Sequence, residues 1–343
     1  MRKLQHNNPQ KKKKKAKMVN LFTALNPLLR ALMKLYGMGA QAVEIQPGTV
    51  INFWAPIQTI KNYKNNKKSK KPTTTINDTE KPVVVLIHGF AGTAVLTWLF
   101  QVAALSGNYA VYVPDLLFFG GSITDSPHRS PEFQAECLAR GLKLLGVERC
   151  TVVGCSYGGF VGSKMAESDP VLVESLVLSN SIVGFSELQS QEVLDRLGFE
   201  SWTQFLMPNN VEGLKMLLGH IIYWRPWFPD WAYKHFLKVM FENREERAEL
   251  MKAMIIKNDE YVIPNYSQVG HLSSFTPLTL MINYFSVVFL RTLFVINGEK
   301  ASLHCIKKAG HLVHLERPFV YNRCLKKILA SLRPDQDGAH RLQ

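Results

Sequence analysis

The stretch that decides the fold is Cys150-Thr151-Val152-Val153-Gly154-Cys155-Ser156-Tyr157-Gly158-Gly159-Phe160. A β-branched run leads into Gly154-x-Ser156-x-Gly158, and small residues continue through Gly162 and Ser163. This spacing belongs to a nucleophile elbow, in which a buried strand turns sharply into a helix and presents the serine hydroxyl at the turn. A side chain at Gly154 or Gly158 would collide with the adjoining strand and helix, so packing demands both glycines. The bland reading is a tight strand–helix turn with an idle serine. The apolar strand before it and the small-residue helix after it weigh against that reading.

Outward from the elbow, strands and helices alternate. Val83–Ile87 is apolar throughout, as expected of a parallel strand covered on both faces. It ends in the turn His88-Gly89-Phe90-Ala91-Gly92. A helix over Thr93–Leu105, a strand at Ala110–Val113, a helix over Glu132–Leu145, the elbow strand and a strand at Leu176–Ser179 complete a mostly parallel sheet. Upstream, Ala42–Ile45 and Val50–Trp54 read as a hairpin about Pro47-Gly48. From 184 to 263 the alternation gives way to successive helices, an inserted cap. Its methionines and aromatics, among them Tyr223 to Trp231, are expected to line an apolar pocket. The closing elements are a strand at Ser302–Ile306 and a helix to Leu332. The expected division is a core over 82–183 and 264–333, an N-terminal helix, hairpin and basic loop over 18–81, and tails at 1–17 and 334–343.

At 343 residues, 46% hydrophobic and 20% charged, the chain is long enough for one large core plus an insertion. Five cysteines (Cys137, Cys150, Cys155, Cys305, Cys324) are odd in number and not closely paired. They point to reduced thiols in a cytoplasmic protein, not to a disulfide framework. No C-x-x-C or His/Cys cluster suggests a metal, and no cofactor is expected. The net charge of +14 is unevenly placed, with eight Lys or Arg and no acid in residues 1–17. Lys61–Lys71 adds six lysines. Both runs read as solvated tail and loop, so nucleic acid is not an expected partner. Residues 19–36 are apolar at helical spacing, interrupted by Arg30 and Lys34, with Pro27 beginning or kinking the helix. Three readings stay open for this helix: peripheral contact with a membrane, a cover over an apolar cleft, or packing on its own domain.

A serine needs a base to become a nucleophile at neutral pH. His311, which follows Gly310 after the last strand, is the candidate, and His314 is the reserve. The oxyanion of an acyl-transfer intermediate needs two backbone donors. The amides of Phe90 and Tyr157 are placed to supply them.

The motifs H-G-F, P-D-L-L-F-F-G-G-S, G-C-S-Y-G-G and K-A-G-H-L-V-H-L-E-R-P resemble those of the α/β-hydrolase superfamily. In particular they resemble those of plant members similar to monoacylglycerol lipases and to meta-cleavage-product hydrolases. The resemblance covers about 18–267 and 298–333. It implies an α/β-hydrolase fold with a helical cap, a Ser156–His311 pair, and an architectural role for Asp115.

In that family the triad acid follows the seventh of eight strands, in a stretch resembling W-G-x-x-D. Here 269–297 departs from the pattern, and no aspartate occurs between Asp259 and Asp335. Beyond Glu260, the only glutamates in that interval are Glu299 and Glu316. Glu299 lies twelve residues before His311, which leaves no room for a helix and the last strand, so it reads as the turn into that strand. The triad acid is therefore unassigned. Phe285–Ile296 is a candidate for the seventh strand, and Leu272–Ile296, with Arg291 its single charge, also approaches a membrane-span profile. The abrupt loss and recovery of the resemblance mark an alternative exon or a mis-joined gene model. Two functions are carried forward. One is a serine hydrolase of a lipophilic or acyl-glycerol ester, weakened by the missing acid. The other is a non-catalytic α/β-hydrolase fold that binds a small apolar ligand.

Overall fold

The computed structural model describes residues 21–69, 81–90, 92–181, 183–224, 227–262, 266, 271–277 and 301–332. The 1–17 and 334–343 tails, most of 269–297 with Phe285–Ile296, and Glu299 lie outside those residues. Helix α1 (Leu21–Leu35) leads into the expected hairpin, β1 (Met38–Gln46) and β2 (Thr49–Pro56), longer at both ends than its apolar pattern suggests. Pro27 lies inside α1 and not at its start.

Six parallel strands follow. They are β3 (Val83–Ile87), β4 (Ala110–Pro114), β6 (Cys150–Cys155), β7 (Val173–Ser179), β10 (His271–Pro277) and β11 (Ala301–Ile306), in the spatial order β4-β3-β6-β7-β10-β11. The hairpin extends the sheet antiparallel beside β4, and the short β5 (Ile123–Thr124) pairs with β2. Successive residues of β3 feed opposite layers: Val85 and Ile87 enter one core, Val84 and Leu86 the other. That two-sided burial is why the strand reads as an unbroken apolar run. Helices α3 (Ala94–Leu105), α4 (Pro131–Leu144) and α5 (Tyr157–Ser168) cross over between strands. The short α11 (Val313–Glu316) and α12 (Pro318–Ser331) close the chain.

The lysine run is not a loop. Residues Ile57–Ser69 form helix α2, because Ile57, Ile60 and Tyr63 fall three apart and lysine is a good helix former. Ile60 is buried and Tyr63 packs on the core, while the described lysines Lys61, Lys64, Lys67 and Lys68 stay in water. The seventh-strand slot is likewise filled by a different segment from the expected Phe285–Ile296. Residues His271–Pro277 pair in parallel with β7 on one side and β11 on the other. Two serines and a terminal proline give this segment little strand character of its own, and its two neighbours supply the ladder. Leu272–Pro277 thus belongs to the sheet, and the rest of Leu272–Ile296 lies outside the described residues. Among the described residues no helix is long and apolar enough to cross a membrane.

The cap consists of α6 (Glu187–Leu197), α7 (Trp202–Leu206), α8 (Val211–Ile221), α9 (Asp230–Met240) and α10 (Arg244–Lys252). Its two ends are joined by a parallel bridge between β8 (Phe185–Ser186) and β9 (Ile255–Ile256). Buried Arg247 fastens it to the core. Its Nε and Nη2 donate to the Phe118 carbonyl at 3.0 and 2.9 Å, and its guanidinium lies 4.2 Å above the Phe119 ring.

Candidate active site

Ser156 sits at the carboxyl end of β6, beside the carboxyl end of β3, where the chain order reverses and a crevice opens in sheets of this kind. Its φ of 52° and ψ of −123° are rare for a residue with a side chain. Such a conformation costs on the order of 1–3 kcal/mol and persists only where the surroundings over-determine it. Here they do. A Cβ on Gly154 would strike the backbone of Gly158 and Gly159, and one on Gly158 would strike the carbonyls of Ile87 and His88. The Ser156 amide donates to the Ser179 carbonyl at 3.0 Å, and the Ser156 carbonyl accepts from Ser181 Oγ at 2.6 Å.

The turn after β3 is held as firmly. His88 Nε2 accepts from the Leu116 amide at 3.0 Å, so the ring proton is on Nδ1, which donates to the Gly89 carbonyl at 2.7 Å. Complete burial pushes the His88 pKa down and keeps the ring neutral. Asp115 is architectural, as the resemblance implies. It accepts from the Ala94 amide at 2.7 Å, from Asn52 Nδ2 at 2.8 Å and from the Gly121 amide at 3.2 Å. Phe90 packs edge-on against Phe119 and Tyr157, with ring centroids 5.5 and 6.1 Å apart. Tyr157 opens α5, whose first amides have no partners within the helix.

His311 is positioned by contacts remote in sequence. Its amide donates to the Ile221 carbonyl of the cap at 2.7 Å, and its carbonyl accepts from Asn180 Nδ2 at 2.5 Å. Asn180, just past β7, has φ of 50°, and its buried Oδ1 has no partner among the described residues. Glu316 staples the cap to this loop. One carboxylate oxygen accepts from the Gly310 amide at 2.8 Å, and the other accepts from the amides of Tyr223 at 2.8 Å and Trp224 at 3.4 Å. The sequence reading passed over Asn180 and Glu316. The signal for Glu316 was present in A-G-H-L-V-H-L-E-R-P, whereas nothing local marks Asn180.

Burial alone lowers the His311 pKa to about 4, with no carboxylate opposing the shift. His314 is fully buried behind it. It stacks on Trp98 at 4.9 Å, with Nδ1 3.8 Å from Cys155 Sγ, and its pKa is pushed down to about 3 by burial first and by His311 second. No acid acts on His311 among the described residues. Asp115 and Glu316 are both committed to backbone amides.

Ser156, His311, Phe90, Tyr157, Asn180 and His314 all face one cavity of about 350 Å³. Its outer wall comes from the cap, with Trp202, Phe205, Phe236, Met240, Phe241 and Met254. The expectation of an apolar, Met- and aromatic-lined cavity therefore holds, but with different residues. Tyr223, Trp224, Trp227, Phe228 and Trp231 are exposed and form no part of the wall.

A family model described as "alpha/beta hydrolase fold" matches residues 82–214. Human "Epoxide hydrolase 4" is 24% identical over 220 residues, which is 62% of this chain and 55% of that protein. The match thus spans about half the length of that relative. A bacterial membrane phospholipase A superposes with a TM-score of 0.67 at 19% identity, covering 91% of each chain. The 2-hydroxy-6-oxo-6-phenylhexa-2,4-dienoate hydrolase of Rhodococcus sp. strain RHA1 superposes with a TM-score of 0.64 at 18% identity, covering 85% of this chain and 99% of the other. At these identities the structural likeness speaks for the fold, and meta-cleavage product hydrolases are among the neighbours that share it. Sheet order, elbow and cap together give this chain the α/β-hydrolase fold, and the family model that matches its core carries the same description.

Proposed function

We propose that the protein is a serine hydrolase that cleaves carboxylic esters of a lipophilic or acyl-glycerol type. One observation carries the reading: a serine held at positive φ faces the same apolar cavity as a neutral histidine. In this mechanism Ser156 Oγ attacks the ester carbonyl while His311 takes its proton. The Phe90 and Tyr157 amides donate to the developing oxyanion, and His311 then returns the proton to the departing alkoxide. Water repeats the cycle on the acyl-serine. The cavity's apolar wall suits an acyl chain and offers little to a polar one. Five cysteines, odd in number and not closely spaced, support a reducing, cytoplasmic setting as part of this reading.

A second reading has its own support. With burial as the only influence on His311, its imidazolium lacks a partner, and the fold can serve as a non-catalytic binder of a small apolar ligand. Disabling the acid of a triad lowers kcat by roughly 10⁴, about 5.5 kcal/mol of transition-state stabilisation. The expected enzyme is therefore slow. Labelling with a fluorophosphonate separates the two readings. The native chain is expected to label at Ser156, with labelling lost in Ser156→Ala. A native chain that takes up no label, yet binds fatty acyl ligands, is the binder.

A further inference from the structure

The densest aromatic stretch of the chain, 223–231, is outside the cavity it was expected to line. Trp227 is 86% exposed and Trp224 63%, with Phe228 and Trp231 close to half exposed. Large apolar side chains clustered in water mark an interaction surface. A neighbouring element repeats the pattern. Helix α1 lies against α3, β1 and the cap helix α9 and sends Leu29 and Met33 into the core, yet its apolar surface is broader than the strip the domain covers. Leu25, Leu28 and Leu35, at spacings of three and seven, remain exposed, Leu35 at 75%.

Charge narrows the choice of partner. Helix α1 carries no acid, and its Lys34 is exposed, as are Lys234 and Lys238 on α9. Asp230 is neutralised by Lys215 at 2.8 Å. The chain entering α1 brings eight basic residues and no acid over positions 1–17. Tryptophan and phenylalanine flanked by lysine, on a broad amphipathic helix next to a polybasic run, are the features that hold a protein in the headgroup region of an anionic bilayer.

We propose that the exposed aromatics of 224–231 and the outer flank of α1 form one docking surface for an anionic membrane, with residues 1–17 as its electrostatic anchor. The placement joins the surface to the cavity. Helix α9 carries Trp231 at the surface in its first turn and contributes Phe236 and Met240 to the cavity wall, and the Tyr223 and Trp224 amides are bound to the carboxylate that holds the His311 loop. A docked protein would have its apolar cavity one helix away from the acyl chains. The inference stands whether or not Ser156 hydrolyses anything.

The test is flotation of the full chain with vesicles of phosphatidylcholine alone and of phosphatidylcholine mixed with phosphatidylserine. The protein is expected to float with the mixed vesicles, to be released by high salt, and to remain largely free of the neutral ones. Trp227→Ala combined with Trp231→Ala, and separately glutamine at each of Lys11 to Lys15, should each weaken partitioning at least about tenfold. Thermal unfolding, and any hydrolysis of a water-soluble short-chain ester, should stay unchanged in both variants. Failure of the native chain to float with mixed vesicles would overturn the proposal. Flotation of the tryptophan variant equal to that of the native chain would overturn it as well, since the basic tail alone would then account for binding. A chain that floats but takes up no fluorophosphonate would retain the docking surface and lose the serine-hydrolase reading.

Discussion

The nucleophile and its base are secured in opposite ways. Ser156 is fixed by its immediate neighbours in sequence and by the strand ends beside it, through glycines that tolerate no side chain. His311 is fixed by Asn180, Ile221 and Glu316, which reach it from the end of β7, from the cap and from α11. One side of the site is a property of the sheet. The other is an agreement between the core and the cap. An inserted cap can therefore influence catalysis without touching the serine, by shifting the loop that carries the base.

Glycine substitutions give the largest expected contrast. In Gly158→Ala the new methyl would meet the Ile87 and His88 carbonyls, which belong to the end of β3 and have nowhere to go. Overpacking against rigid backbone should cost about 3 kcal/mol or more and abolish fluorophosphonate labelling. In Gly310→Ala the methyl would meet the Ile221 carbonyl and the Tyr223 amide, which belong to the cap. The cap can shift, so the urea midpoint should move far less while labelling still slows. Equal loss of stability in the two variants would mean that cap and core are one rigid unit.

Glu316→Ala comes next. It leaves the Gly310, Tyr223 and Trp224 amides without their charged acceptor, at a cost of about 1–3 kcal/mol. A base loop released by even 1 Å should slow turnover roughly 10²-fold. Glu316→Gln keeps one carbonyl acceptor and should recover part of the rate. Asn180→Ala removes a single tether of the base loop and should cost about tenfold in kcat.

How much of this was legible follows the same division. The elbow, the His88-Gly89-Phe90 turn and the all-apolar β3 are contiguous, so one pass along the chain finds them. His311 was legible from its place after the last strand, but its supports were not, because Asn180 precedes it by 131 residues and Ile221 by 90. The α2 helix was hidden under its lysines, although Ile57, Ile60 and Tyr63 carried the period. Strand β10 was hidden for a deeper reason. His271–Pro277 is a strand because β7 and β11 each offer an unsatisfied edge, and that demand is tertiary. The aromatics of 223–231 misled in the other direction. Composition marked them as apolar contacts, and only the fold shows that they face outward.

The smallest expected effect is the most specific test of the base side, and it is read from the pH profile. His311 must be neutral to accept the serine proton, and burial holds its pKa at about 4 instead of its ordinary 6.5. Hydrolysis, measured as kcat/KM, should therefore stay level from neutrality down to about pH 5 and fall by half near pH 4. A carboxylate hydrogen-bonded to the ring would stabilise the imidazolium and raise this limb towards 7. A limb at 6 to 7 would thus show that an acid outside the described residues completes a triad. Stability must be tracked alongside. Between pH 6.5 and 4 the unfolded chain binds protons that His88, His311 and His314 refuse, so stability falls as the pH falls in that window, by up to about 1.4 kcal/mol per pH unit for each of the fully buried rings of His88 and His314 and by less for the part-exposed His311. Brief exposure to acid followed by assay at neutral pH separates the two effects. Activity that returns at once was lost by protonation of His311, and activity that does not was lost by unfolding.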